Sequence, residues 1–200
     1  MYKRSCITQT IIAVFIFLGL VTNIENIFRI LPETYSAAYW VIIIIGLANV
    51  LRMFSGISEN IIALSHYYRI QTVFMIIYLL SIVALNYLLI PAYGIDGAAI
   101  ASSIAIFIYF FVRYIFLYTK FRFQPYDFRY LYIVLAGGIT FYFVKLVPLF
   151  DLLYLDILVR GVMVSILFLL PLYYLKVSED FNLLAEGFVK TVRDYLKKKS

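Results

Sequence analysis

The chain has 200 residues, of which 64% are hydrophobic and 14% charged, and its mean hydropathy is +0.96. That length suits one soluble domain, but such an apolar composition excludes one and marks an integral membrane protein. Its net charge of +6 is matched by the anionic membrane surface, so nucleic acid is not an expected partner.

Met1 to Arg4 is basic and precedes an apolar run from Ile7 to Val21. Val21-Thr22-Asn23-Ile24-Glu25 lacks the small residues of a signal-peptide cleavage site, so the run reads as a first membrane helix. Further helices are expected over 36–64, 70–90, 97–118, 130–147 and 152–175, which makes six. Each has about the 20 apolar residues a bilayer requires, the first being the shortest. The fold class is therefore all-α, a polytopic membrane domain over 1–175.

Basic residues set the expected orientation. With the N terminus in the cytoplasm, the inner segments hold Lys3, Arg4, Arg69, Lys120, Arg122 and Arg129, and the outer ones hold only Arg29 and Lys145. Both termini are then cytoplasmic, and Pro91 to Asp96 faces outward. Such a chain would reside in a cytoplasmic, or inner, membrane.

The expected second helix is polar along one side. Asn49, Arg52, Gly56, Glu59, Asn60 and Ala63 follow one another at short helical steps and share one face within an arc of about 120°. Charge inside a bilayer costs a few kcal/mol at least, so Arg52 and Glu59 should face protein or water. Two readings stand: a substrate- or ion-facing surface of Asn49, Arg52, Glu59 and Asn60, or an Arg52–Glu59 ion pair that fastens helices. Arg113 reads as a side chain snorkelling to the inner interface. Asp156 and Arg160, four residues apart, should pair on one helix face. Gly137-Gly138 suits either a hinge or close helix packing, and Glu25 and Arg29 should be solvated.

The sharpest local signal lies between the expected third and fourth helices. Pro91 lacks a donor and should end the incoming helix. Gly94 allows a tight turn, and Asp96 is placed to cap the outgoing helix. Gly97, Ala101 and Ala105 recur every four residues, a spacing that lets two helices approach closely in lipid.

Beyond Leu175 the pattern becomes amphipathic. Phe181, Leu184, Phe188, Val192, Tyr195 and Leu196 form a stripe, with Glu179, Glu186, Lys190 and Asp194 among the other positions. Lys197 to Lys199 close it. Residues 176–200 read as a basic cytoplasmic tail lying on membrane lipids. No catalytic constellation, cofactor motif or metal cluster emerges: Cys6 and His66 stand alone, and no glycine-rich phosphate loop follows a strand.

The run Asn86…Leu89-Ile90-Pro91-x-Tyr93-Gly94-Ile95-x-Gly97-Ala98-Ala99-Ile100-Ala101 resembles the hairpin in the C-terminal half of polysaccharide flippases. These are the O-antigen and lipopolysaccharide exporters of the multidrug/oligosaccharidyl-lipid/polysaccharide exporter superfamily. Asn26 to Tyr35 is similar to the periplasmic end of one family helix, and Gly56 to Arg69 to the next helix and its cytoplasmic turn. The resemblance covers roughly 1–147 and implies six helices equivalent to the last six of a fourteen-helix flippase. It implies an undecaprenyl-diphosphate-linked oligosaccharide as substrate and partner, with Arg52 meeting the diphosphate. It also implies a partner that completes the cavity, either an N-terminal lobe or a second copy. A lobe of a multidrug exporter, or a membrane protein that assembles without transporting, are the alternatives.

Overall fold

A computed structural model describes residues 2–56, 58–122, 127–184 and 186–187. Every regular element among them is helical. Helix α1 (Tyr2–Thr22) lies at the centre. Ile7, Ile11, Val14 and Leu18 recur at helical spacing along it and are buried against Ile133, Val144, Val164, Phe168 and Leu172 of later helices. The Thr22 hydroxyl and the Asn23 amide donate to Leu18 O and Gly19 O at 2.7 and 2.8 Å, which occupies the last carbonyls of α1. A short α2 (Ile24–Ile30) follows, then a 3₁₀ turn (Glu33–Ala38) after Pro32.

The stretch expected as one helix over 36–64 is divided. Helix α3 (Tyr39–Met53) stops, the backbone turns through Gly56 at φ +54°, and α4 (Ser58–Ala63) begins afresh. A tertiary contact causes the break. A Cβ on Gly56 would lie 2.6 Å from Cys6 Sγ and 2.9 Å from Cys6 Cα, so only glycine permits this turn against the backbone of α1. The single polar stripe running from Asn49 to Asn60 therefore does not form.

Helix α5 (Tyr68–Phe121) is a hairpin of helical backbone that reverses at Gly94, where φ is 57° and ψ is −130°. Its arms face each other through Tyr67 and Phe121, Phe74 and Phe116, and Tyr78 and Tyr109, with ring centroids 5.9, 5.5 and 5.5 Å apart. Pro91 stays within the outgoing helical arm, contrary to expectation. It is exposed near the tip, so the carbonyl its ring leaves unpaired is not buried within the protein. Asp96 is not a cap. Helical geometry resumes right after Gly94, which places Asp96 inside the turn, with Oδ1 accepting no hydrogen bond. Gly97 is indispensable, because a Cβ there would sit 2.2 Å from Leu89 O. Ala101 and Ala105 are wholly buried, and Ser103 Oγ donates to Ile44 O of α3 at 3.3 Å, so the small-residue face packs on α3.

Helix α6 (Arg129–Leu146) precedes a helical run over Leu153–Tyr174. That run comprises α7 (Leu153–Val164), a π turn (Ser165–Leu169) and α8 (Leu170–Tyr174). Pro171 at the start of α8 has no N–H to donate, and the widened π turn before it absorbs the missing bond. Of the two glycines read as hinge or contact, Gly137 packs: a Cβ there would touch Val14 Cγ1 at 3.3 Å, whereas Gly138 opens onto free space.

Four helical runs, 3–22, 68–121, 129–146 and 153–174, are long and apolar enough to cross a membrane, and α3 is a shorter apolar helix. At one end of the group, Lys3 pairs with Asp127 at 2.8 Å, Arg4 pairs with Glu179, and Thr8 Oγ1 lies 2.8 Å from Ser178 Oγ. Hydrogen bonding from the Lys3 ammonium, with the Phe128 N–H and the charge of Arg129 adding to it, holds the Asp127 carboxyl below its ordinary pKa. Helical backbone resumes at Glu179, and Phe181 packs half-buried on the main core. Leu184 is exposed, and the positions of the expected tail stripe from Phe188 onward lie outside the described residues.

Candidate functional site

Division of the second helix redistributes the four expected site residues. Asn49 is exposed on α3, and its amide turns back to donate to Ile45 O at 2.9 Å. Asn60 is exposed on α4. Neither lines a shared cavity with the charged pair. Arg52, in the last turn of α3, and Glu59, in the first turn of α4, do line one cavity of about 320 Å³. Met75, Tyr78 and Leu79 of the outgoing α5 arm and Ile106 and Tyr109 of the returning arm form its other walls. The two sides of the polar stripe thus meet across a turn, although they do not share a helix.

Glu59 is held by a residue that sequence reasoning assigned elsewhere. Arg113 Nη1 donates to Glu59 Oε1 at 2.5 Å, and the Tyr109 hydroxyl donates to the same oxygen at 3.2 Å. Gln71 Nε2 donates to the Tyr109 oxygen at 3.0 Å, and the Arg113 guanidinium lies 4.8 Å from the centre of the Tyr109 ring. Arg113 does not snorkel: it is 2% exposed, and the network uses its charge inside the protein. Tyr109 and Arg113, four apart on one arm, opposite Gln71 on the other, were the sequence signal that could have located this network.

The contrast within the site is in how the charges are used. Arg113 is buried and committed, while Glu59 keeps 37% of its side chain exposed. Arg52 is exposed and makes no ion pair among the described residues. An Arg52–Glu59 bridge therefore does not fasten α3 to α4. The arrangement offers a planar cation that makes no ion-pair contact among the described residues, a carboxylate held by Arg113, and tyrosine and aliphatic walls. Chemically, that suits an anionic group attached to an amphiphile.

A second ionic cluster lies apart from this cavity. Asp156 and Arg160 pair as expected, at 2.6 Å, with side chains 0% and 6% exposed. Asn26 Nδ2 donates to Asp156 Oδ2, and the Phe150 N–H donates to Oδ1 at 3.1 Å. Arg160 donates onward to Val144 O and Val147 O at 3.3 and 3.0 Å. These bonds tie α2, α6 and α7 together and commit the pair to the fold. Glu25 and Arg29 are exposed as expected, and the Arg29 guanidinium also donates to Phe150 O at 3.0 Å.

Among the described residues no group of three or more His, Cys, Asp or Glu side chains is placed to hold a metal ion. The chain shows no significant match to a protein-family model, to a curated protein or to a solved structure.

Proposed function

We propose that this chain is one lobe of a membrane flippase that moves a lipid-linked oligosaccharide across the cytoplasmic membrane. The observation that carries the proposal is Arg52, which makes no ion-pair contact among the described residues and lines, together with Glu59, a cavity between apolar helices. An intramembrane charge is costly unless it has work to do, and a guanidinium holds phosphate oxygens bidentately. A diphosphate joined to a polyprenyl chain and a glycan fits that requirement. Arg52 receives the diphosphate, and Glu59 shapes the cavity while Arg113 neutralises it. Tyr78 presents an amphipathic ring to sugar, and the buried Tyr109 packs behind it and holds Glu59.

In this reading the chain crosses the membrane six times. The two arms of α5 count separately, α3 with α4 makes one crossing, and both termini are cytoplasmic. One lobe supplies one wall, so transport requires an N-terminal lobe or a second copy to complete the cavity.

The test measures surface glycan export beside protein abundance, in cells that also contain the complementary lobe. Arg52→Ala abolishes export at normal abundance, and Arg52→Lys restores it in part. Export unchanged in Arg52→Ala overturns the proposal; loss of drug resistance with export intact marks a multidrug lobe instead. Orientation is checked with an impermeant thiol reagent in a Cys6→Ser background. A cysteine at Ala92 labels from outside, whereas labelling at Lys199 alone reverses the topology.

A further inference from the structure

A second cavity, separate from the Arg52 site, runs between α1, α3 and α6. It is an apolar groove of about 540 Å³ with Phe17, Leu47, Val134 and Gly138 among its walls. The volume falls within the roughly 300–1,000 Å³ of small-molecule sites. Two glycines shape it. Gly46 leaves room for the Phe17 ring, which a Cβ would meet at 2.8 Å, and Gly138 leaves its side of the groove open.

One end of the groove is polar. Val21, Tyr39 and Phe141 line both the groove and a small recess that also contains Glu25, Lys145 and Arg160. Arg160 is neutralised by Asp156. Glu25 and Lys145 are exposed, and neither makes an ion pair among the described residues. The Lys145 ammonium instead lies 5.7 Å from the centre of the Phe141 ring, at the junction of recess and groove. Opposite charges that share one recess without pairing can each take a counter-charge of one zwitterion.

We infer that this groove and recess form a binding site for a single bilayer phospholipid with a zwitterionic amino-phosphate headgroup. Lys145 receives the phosphate, Glu25 the ammonium, and an acyl chain fills the groove past Gly138. Charge complementarity selects the occupant. A purely anionic lipid would set its second polar group beside the Glu25 carboxylate without pairing it, and a lipid with no phosphate would leave Lys145 unmatched. The site is independent of the transport reading, because it shares no residue with the Arg52 cavity.

The full chain is purified with equal amounts of phosphatidylethanolamine and phosphatidylglycerol, delipidated stepwise, and its retained lipids are counted by native mass spectrometry. One phosphatidylethanolamine is expected to persist, favoured about tenfold over phosphatidylglycerol, as for one hydrogen bond to a charged group. Lys145→Gln lowers retention of both lipids, and Glu25→Gln removes the preference. Gly138→Leu places a side chain in the groove and empties the site; Val134→Phe fills the same groove and decides the matter where Gly138→Leu fails to fold. Equal retention of the two lipids by the wild type overturns the headgroup assignment. Undiminished retention in a folded groove-filling variant overturns the site.

Discussion

Asp156–Arg160 and Glu59–Arg113 are the same ion pair in two settings. In the first, both side chains are enclosed, and Asn26, Phe150, Val144 and Val147 bond to the pair as well. In the second the arginine is enclosed while the carboxylate opens onto a cavity that also holds Arg52. The helices around the two pairs differ in the same way. The most apolar 18 residues of α1, beside the first pair, are 44% buried, against 6% for the most apolar 18 of α5, whose buried positions lie mostly on the returning arm between Gly97 and Leu117, around Arg113. Intramembrane charge can serve as a fastening or as a surface, and what separates the two is whether the fold encloses both partners.

The sharpest way to break that comparison is to remove Arg160. Arg160→Ala strands a wholly buried carboxylate, and a loss of about 3–5 kcal/mol is expected, enough to prevent accumulation. Replacing both partners by Asp156→Leu and Arg160→Met should recover most of the abundance, because an apolar pair of similar volume avoids the desolvation cost. Failure of the double variant to recover would show that the bonds to Val144 and Val147 carry more than the charge pair does.

Next in size is the helix contact that positions the cavity. Ala101→Leu forces methylenes between α5 and α3, where Ala101 is 0% exposed, and should cost about 1–3 kcal/mol in thermal unfolding. Ile104→Leu, at a site 39% exposed, should change stability by no more than about 0.5 kcal/mol. Equal effects would remove the small-residue contact from the account.

A smaller effect is expected at Glu59. Glu59→Gln keeps an oxygen that accepts from Tyr109 and Arg113 but removes the counter-charge of a guanidinium that is only 3% exposed. A cost of about 1–2 kcal/mol is expected, below that of Arg160→Ala because the Glu59 side is 37% exposed. A loss as large as that of Arg160→Ala would erase the distinction between the two pairs.

The smallest effect lies outside the apolar spans, at Asp127. Its lowered folded-state pKa means that the carboxylate stabilises the fold above the ordinary Asp value of about 3.8, and that this stability is lost as pH falls through the lower folded value. The melting temperature should therefore decline slightly at acid pH, and Asp127→Asn should flatten that part of the profile.

Which parts of this were legible in the sequence follows from the range of the interactions. The hairpin was readable because Gly94 and Gly97 act on near neighbours, and the Asp156–Arg160 pair because four residues on a helix fix a common face. The Glu59–Arg113 bond joins residues 54 positions apart: the four-residue spacing of Tyr109 and Arg113 marks a polar face on one arm but does not name Glu59 as its partner. The continuous stripe from Asn49 to Asn60 was misread for the same reason. Helical periodicity ran unbroken through Gly56, and only the approach of α1 at Cys6 decides that the chain turns there.

Composition and periodicity by themselves determined an all-helical chain rich in membrane-length apolar segments, since each such segment satisfies its own backbone within lipid. They also determined where the α5 hairpin reverses. Only the tertiary structure decided which charges meet, because helices in an apolar solvent are held by small-residue contacts and polar ties between distant segments. That is why Arg113 became the partner of Glu59 and left Arg52 facing the cavity.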